Sequence, residues 1–439
     1  MIRLGEVLGG PGLATYTYSY PHKTAHRPLE RPVRLRDLWA TEDRGSLFLY
    51  LHVPFCENRC GYCNLFSFSG AESELISRYI DATARQAERV REALSDSHFA
   101  RLAIGGGTPT LLTPPELERL LAVVARTLGA STFAVPASVE VSPATAIPDR
   151  LIRLRQFGIG RVSIGVQTFD PHEAARLGRS QSRELVEQAL QEIRAVGFPV
   201  LNVDLMYDIP GQTVESWRQS LRAALAWRPE EIFLYPLYFR PVTALASHTG
   251  QSETWRMDAY QIGQDMLLRE GYKQLSMRMF RAPHAPAQDS PPYRCQEDGM
   301  VGLGCGARSY TRTLHYSTPY AIGRGHIREL IERFAARTAD SFDWADFGFE
   351  LDAEDQRRRY VLLGLLECQG LARGEYAARF GFDPVVDLPE LEALAQDGLM
   401  EQTSGCLRLT PRGLAQSDTI GPWLYSRKVR DLMENYSPC

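Results

Sequence analysis

The stretch Leu47-Phe-Leu-Tyr-Leu-His52-Val-Pro-Phe-Cys56-Glu-Asn-Arg-Cys60-Gly-Tyr-Cys63 joins an apolar, strand-like run to three cysteines. Their spacing is C-x3-C-x2-C. It brings three thiolates into one small volume and leaves a fourth ligand position empty. A [4Fe–4S] cluster ordinarily takes four cysteines, so three would leave one iron open to a substrate or cofactor. Zinc is the competing metal, but structural zinc sites are closed by four ligands, often in two knuckles. No second knuckle follows here. Three buried core thiols is the remaining reading, and the turn-like Pro54 and Gly61 weigh against it.

Working outward, six short apolar runs alternate with longer amphipathic ones. The predicted strands are Leu47–Val53, Arg101–Ile104, Ser138–Val141, Arg161–Val166, Leu201–Tyr207 and Ile232–Leu237. They are rich in β-branched and aromatic residues and end in Gly, Pro or polar residues. The predicted helices are Glu72–Leu94, Pro115–Thr127, Pro148–Phe157, Ser182–Val196, Val214–Ala226 and Thr254–Glu270. Several open with proline in the first turn, where its missing N–H costs little. Six β–α units in series predict a parallel sheet with right-handed crossovers. Periodicity alone leaves a doubly wound sheet and a barrel both open. In either case chemistry is expected at the C-terminal strand ends.

Polar residues fall at those ends. Gly105-Gly-Gly-Thr-Pro109 follows the second strand, where missing Cβ atoms let the backbone approach a ligand. Glu140 ends the third strand and Gln167 the fourth, while Asp204 lies inside the fifth. A carboxylate inside an apolar strand needs a partner. Taken singly, the glycines also read as a plain turn, Glu140 as an edge residue and Arg179 as a solvated helix end.

Together, Tyr50-Leu-His52-Val-Pro-Phe-Cys56 and the cysteine spacing resemble the signature of radical S-adenosylmethionine (SAM) enzymes. More narrowly, they resemble the subgroup of oxygen-independent coproporphyrinogen III oxidase and its haem-chaperone relatives. The resemblance implies an α/β fold, a partial (β/α)6 radical SAM barrel with an α+β winged-helix-like C-terminal domain. It implies a [4Fe–4S] cluster on Cys56, Cys60 and Cys63, whose open iron chelates the amino and carboxylate groups of SAM. One electron then cleaves SAM to methionine and a 5′-deoxyadenosyl radical. It further implies cofactor contacts from Tyr50, Tyr62, Gly106, Gly107, Thr108, Glu140, Gln167, Arg179 and Asp204, with His52 beside the cluster. Arg179 would pair with a SAM carboxylate, which suits a guanidinium fork. Asp204 would take the ribose hydroxyls.

Gly302-Leu-Gly-Cys-Gly-Ala-Arg-Ser309 resembles the segment that helps line a second SAM site, so one SAM or two are expected. Arg308 stands where the oxidase has an apolar residue. Cys305 reads as a packed thiol. Ser276-Met-Arg-Met-Phe280 alternates like a strand, and Arg281–Glu297 reads as loop. After Leu351, Gln356–Glu367, Ala372–Phe380 and Leu388–Asp397 read as helices. Gly398–Gln402 and Cys406–Thr410 read as strands. That order resembles the family's winged-helix appendage, here expected to be a lid over the barrel, with Arg357–Arg359 on a solvated helix face. The expected division is an extension at 1–45, a barrel at 46–280, a post-barrel segment at 281–350 and a C-terminal unit at 351–439.

Composition bounds the rest. At 439 residues two or more domains are expected, and 44% hydrophobic with 23% charged residues is ordinary for a globular chain. A net charge of −4 gives no electrostatic case for nucleic acid. No signal-like h-region opens the chain, and no run approaches the ~18 apolar residues a membrane span needs. Eight cysteines are too few at this length for a disulfide scaffold. A cytoplasmic protein is expected, with a small-molecule substrate, a reductant such as flavodoxin or ferredoxin, and neither nucleic acid nor membrane as partner.

Departures from the family bear on the substrate. The oxidase carries a further cysteine where this chain has Leu65, and the chaperone's His-Asn-x-x-Tyr-Trp motif is absent around Pro292–Asp298. The aromatic runs Tyr16–Lys23 and Tyr235–Pro241 line a substrate cavity or pack on the barrel. The expected function is therefore a radical SAM enzyme acting on an unidentified organic substrate, a class C-type methyltransferase using two SAM included. The alternatives are a coproporphyrinogen-oxidase-like or haem-degrading enzyme, and a haem-binding chaperone.

Overall fold

A computed structural model describes residues 16–129, 135–239, 243, 245, 252–287 and 299–436. Six parallel strands form the centre: Leu47–Val53, Phe99–Gly106, Ala137–Val141, Arg161–Gln167, Val200–Tyr207 and Glu231–Pro236, hydrogen-bonded in that order. They fall within one or two residues of the predicted strands at nearly every end. The helices agree as closely: Ser73–Leu94, Pro114–Leu128, Pro148–Gln156, Arg183–Val196, Val214–Ala226 and Glu253–Arg269. Helix Ser73–Leu94 shows why. It buries Leu75, Ile76, Tyr79, Ile80, Thr83, Ala87, Val90 and Leu94, the three-and-four spacing of one helical face. Helix Pro114–Leu128 starts on a capping box, with Glu116 accepting from the Thr113 N–H at 2.9 Å.

In the first strand Leu47, Leu49 and Leu51 are fully buried, while Phe48 and Tyr50 are half-buried. A period of two thus sends one set toward the helices and the other into the barrel.

The sheet continues beyond the six. Strand Met300–Leu303 adds parallel to Leu47–Val53, and Arg308–Tyr310, Leu314–Ser317 and Trp344–Glu350 follow antiparallel. The outermost strand on that side is Arg27–Arg34, so residues from both the extension and the post-barrel segment enter the barrel's own sheet. Of the expected strand Ser276–Phe280, Met279 and Phe280 pair antiparallel to Glu231–Pro236 within the strand Met279–Arg281, and Ser276 makes an isolated bridge to Glu367.

The C-terminal unit holds helices Ala353–Leu365, Arg373–Phe380, Pro384–Asp387 and Leu391–Gln396 beside a small sheet of Leu371–Ala372, Cys406–Leu409 and Met400–Gln402. One expectation there fails. The run Arg357–Arg359 is no solvated face: Arg359 is buried, donating to the Thr311 carbonyl at 3.0 Å with the His315 ring at 2.9 Å. Arg358 pairs with Glu390 at 2.6 Å. Arg359 bolts the unit to the sheet, while Arg358 ties parts of the unit together. Three further helices, Pro411–Ala415, Ser417–Trp423 and Arg427–Glu434, close the chain. Cys305 is fully buried, as expected for a packed thiol. No helix among the described residues is long and apolar enough to cross a membrane. Pro292–Asp298 and residues 240–241 lie outside the described residues.

Candidate functional site

The cysteines follow the first strand. A two-residue strand, Phe55–Cys56, pairs with Phe68–Ser69 and closes the loop that carries them. The second strand end locks onto this loop: the Gly107 N–H donates to the Val53 carbonyl and the Thr108 N–H to the Phe55 carbonyl, each at 2.7 Å. A Cβ on Gly107 would stand 2.5 Å from the Phe55 oxygen and 2.9 Å from the Cys56 Sγ. Only glycine allows that approach. Gly106, at φ 113°, lies against the His52 ring.

All three thiols are free and half-buried, and each has a polar neighbour. Thr108 Oγ1 donates to Cys56 Sγ at 3.7 Å, Arg179 Nη1 donates to Cys60 Sγ at 3.3 Å, and Ser67 Oγ lies 3.9 Å from Cys63 Sγ. Burial pushes the Cys56 thiol up to about 11, with Cys63 and Cys60 adding to the rise, and burial raises Cys63 too. A bound metal group reverses this by taking the thiols as thiolates. Among the described residues no three His, Cys, Asp or Glu close on a single ion. A tetrahedral zinc site needs such convergence. A cluster does not, because its cysteines hold different irons. The donor set therefore fits an iron–sulfur cluster.

The strand ends open into a cavity of ≈ 560 Å³ lined by the thiols, Gly106, Gly107, Thr108, Glu140, Gln167, Arg179 and Asp204. Glu140 accepts from the Gly106 N–H at 3.0 Å. It is open to the cavity, yet the barrel wall strips it of water elsewhere, and this burial lifts its pKa to about 7. Asp204 accepts from Asn202 Nδ2 at 2.8 Å and from Ser163 Oγ at 3.4 Å. Burial lifts it to about 6. Gln167 is buried at φ 68°, beyond an irregularity in the pairing with the fifth strand that follows Gly165. A non-glycine residue in that region is uncommon.

Arg179 is held by the Gly165 carbonyl at 2.7 Å and Gln181 Oε1 at 2.9 Å, which aims its other nitrogen at Cys60 and at the Tyr62 hydroxyl, 3.5 Å away. Tyr62 lines the main cavity. Tyr50 lines a smaller one of ≈ 190 Å³ in the barrel interior, shared with Glu140, Asp204 and Tyr235. Its hydroxyl lies 3.2 Å from His52 Nδ1. His52 itself is buried, its Nε2 2.8 Å from the Phe66 carbonyl, and burial drops its pKa to about 4. It stays neutral and props the cysteine loop.

One wall of the cavity was only half legible. Tyr16, Tyr18, Lys23, Tyr235, Tyr238 and Arg308 line it. The C-terminal unit braces this wall from behind: Thr17 Oγ1 lies 3.2 Å from the Tyr425 hydroxyl, and the Tyr20 hydroxyl donates to Asp355 at 2.6 Å. Arg278 and Tyr238 both meet Asp418, and Arg278 lies 4.0 Å over the Tyr16 ring.

Comparison with known proteins agrees with this geometry. Residues 50–224 match the Radical SAM superfamily and residues 351–415 the HemN C-terminal domain. The heme chaperone HemW of Bacillus subtilis is 27% identical over 85% of this chain and 98% of its own length. The oxygen-independent coproporphyrinogen III oxidase of Pseudomonas aeruginosa is 26% identical over 98% of this chain and 94% of its own. The solved structure of coproporphyrinogen III oxidase (HemN) from Escherichia coli superposes with a TM-score of 0.77 at 23% identity, covering 96% of this chain and 98% of that one. The cofactors are accordingly a [4Fe–4S] cluster and SAM. The chain carries a Radical SAM domain and a HemN C-terminal domain, and it is similar to both the oxygen-independent coproporphyrinogen III oxidases and the HemW heme chaperones.

Proposed function

We propose that this protein is a radical SAM enzyme that acts on a tetrapyrrole carboxylate in an oxidase-like reaction. The observation that carries the proposal is the cavity. Its floor is the three thiols, and its wall is tyrosines with Arg308 and Lys23, a surface suited to a flat, carboxylated ring system. The near full-length similarity to oxidases supports this reading over the class C-type methyltransferase, which stays as an outcome of the test.

A [4Fe–4S] cluster and SAM, when bound, would supply a 5′-deoxyadenosyl radical. The protein's own residues prepare its surroundings. Cys56, Cys60 and Cys63 would hold the cluster, and Arg179 steadies Cys60 with a charged donor. Gly106, Gly107 and Thr108 offer a backbone that a methionyl group can approach. Glu140 and Asp204 would accept the amino and hydroxyl hydrogens of SAM, Gln167 and Tyr62 would flank it, and Tyr50 would back the site from the smaller cavity behind Glu140 and Asp204. Leu65, 47% exposed on the cavity rim, presents a methyl-tipped surface where the oxidase has a thiol. The chain divides at 1–45, 46–280, 281–350 and 351–439, with the last unit bracing the substrate wall and flavodoxin or ferredoxin as the type of reductant.

The test is anaerobic turnover of reconstituted protein with SAM, dithionite and coproporphyrinogen III, followed by mass spectrometry. 5′-Deoxyadenosine formed in step with an altered tetrapyrrole is expected. S-Adenosylhomocysteine with a methylated product would move the assignment to methyl transfer. Stoichiometric haem binding without turnover would move it to the chaperone reading that similarity to HemW supports.

A further inference from the structure

Arg308 takes no part in holding the thiols or the strand-end carboxylates. It sits in the strand Arg308–Tyr310, half-buried, with its side chain on the cavity wall. Its Nη1 donates to the Tyr18 hydroxyl at 2.9 Å and to Ser19 Oγ at 3.4 Å. The guanidinium carbon lies 4.8 Å over the Tyr18 ring. Its electrostatic neighbours are the phenols Tyr18, Tyr310 and Tyr50 and the imidazoles His26, His52 and His315, and it stays charged. Among the described residues no carboxylate pairs with it.

Other arginines of the same barrel are treated differently. Arg161 and Arg281 share Glu231, Arg194 has Glu230 and Arg278 has Asp418. Those guanidiniums meet carboxylates, as desolvated charges generally do, whereas Arg179 on the cavity floor is held by the Gly165 carbonyl, Gln181 and Cys60. Arg308 instead has rings on its flank and open cavity ahead. A guanidinium in that setting gains most from a ligand that brings the missing negative charge, and its planar fork matches a carboxylate. The hydrogen bonds to Tyr18 and Ser19 fix the fork, and the C-terminal brace on Thr17 and Tyr20 fixes that segment.

We infer that Arg308 anchors a carboxylate arm of the substrate and so selects for substrates that carry one. The inference deepens the proposed function and rests on it only for the tetrapyrrole scaffold. The ligand chemistry is a carboxylate, whether from the substrate or from a SAM molecule, and the test separates the two.

Holoprotein loaded with cluster and SAM is titrated anaerobically with coproporphyrin III, the stable tetracarboxylate, and with its tetramethyl ester, read by porphyrin fluorescence. The wild type is expected to prefer the acid by about tenfold or more. Arg308→Leu should lose that preference while iron content and SAM stoichiometry, measured by equilibrium dialysis, stay unchanged, and Arg308→Lys should restore part of it. An undiminished preference in Arg308→Leu overturns the inference. So does loss of SAM in that variant, which would make SAM the owner of the carboxylate. If the wild type binds neither porphyrin, the tetrapyrrole reading fails on its own, and thermal shifts with benzoate against benzamide decide the anchor. Stabilisation by benzoate alone, lost in Arg308→Leu, keeps it; equal shifts in both proteins overturn it.

Discussion

Replacing Asp204 by Asn separates what this residue costs the fold from what it gives the site. Burial is the leading reason its pKa rises from 3.8 to about 6; Asn202, Arg161 and Ser163 oppose the rise, and Glu231 adds to it. A raised carboxyl pKa means the folded chain keeps a proton that the unfolded chain has released. Stability linked to Asp204 is therefore full below the unfolded value and is lost as pH rises through the folded one. The shift is about two units at ~1.4 kcal/mol each, so the ionised group costs the empty protein about 3 kcal/mol at high pH. The amide in Asp204→Asn cannot ionise and keeps an oxygen to accept from Asn202. In urea unfolding of the apoprotein, the variant's advantage over wild type should grow by about 2 kcal/mol between pH 4.5 and pH 8. The same variant should bind SAM about 10- to 150-fold more weakly, the worth of a lost charged hydrogen bond at ~1.5–3 kcal/mol. An advantage that does not change with pH would refute the burial argument. An unchanged SAM affinity would take Asp204 out of the cofactor site.

Cys60→Ala should abolish the charge-transfer absorbance of the reconstituted cluster and reductive SAM cleavage, whereas Cys305→Ala, at a buried thiol in the core, should keep both; iron analysis and visible spectra decide. Gly107→Ala pushes a methyl group to within 2.5 Å of the Phe55 carbonyl, so iron content after reconstitution should fall with secondary structure retained by circular dichroism. Asp418→Asn removes the charge facing buried Arg278 and should cost about 3–5 kcal/mol in unfolding free energy. A loss under ~1 kcal/mol would mean Tyr238 alone satisfies that guanidinium.

The parts of this protein that were legible in its sequence are those governed by local rules. Strand and helix bounds followed from hydrophobic periods, proline at first turns and glycine at strand ends, because each depends on neighbours within a few residues. The cysteine loop follows from the same local rules, and the strand-end residues Glu140, Gln167 and Asp204 line one cavity with it. Misreadings began where a side chain's partner is far along the chain. Arg359 looks like a surface charge until His315 and the Thr311 carbonyl are placed beside it, more than 40 residues away. Strand Arg27–Arg34 gives no sign of its partner, since Trp344–Glu350 lies over 300 residues on.

The aromatic wall of the cavity shows the same limit at its sharpest. Tyr16 and Tyr18 come from the start of the described chain, Arg308 from beyond the barrel, and Asp418, which meets Tyr238 from behind, from the C-terminal unit. No window of sequence contains them together. The cofactor floor, by contrast, is built from residues at the ends of consecutive strands. Chemistry common to a superfamily therefore leaves local motifs. Substrate choice is written in long-range packing, where one guanidinium set among tyrosines and facing a cavity carries more information than any motif. That is also why Leu65 and Arg308, the two cavity residues that depart from the oxidase pattern, are the positions whose exchange should alter which substrate is accepted before it alters SAM cleavage.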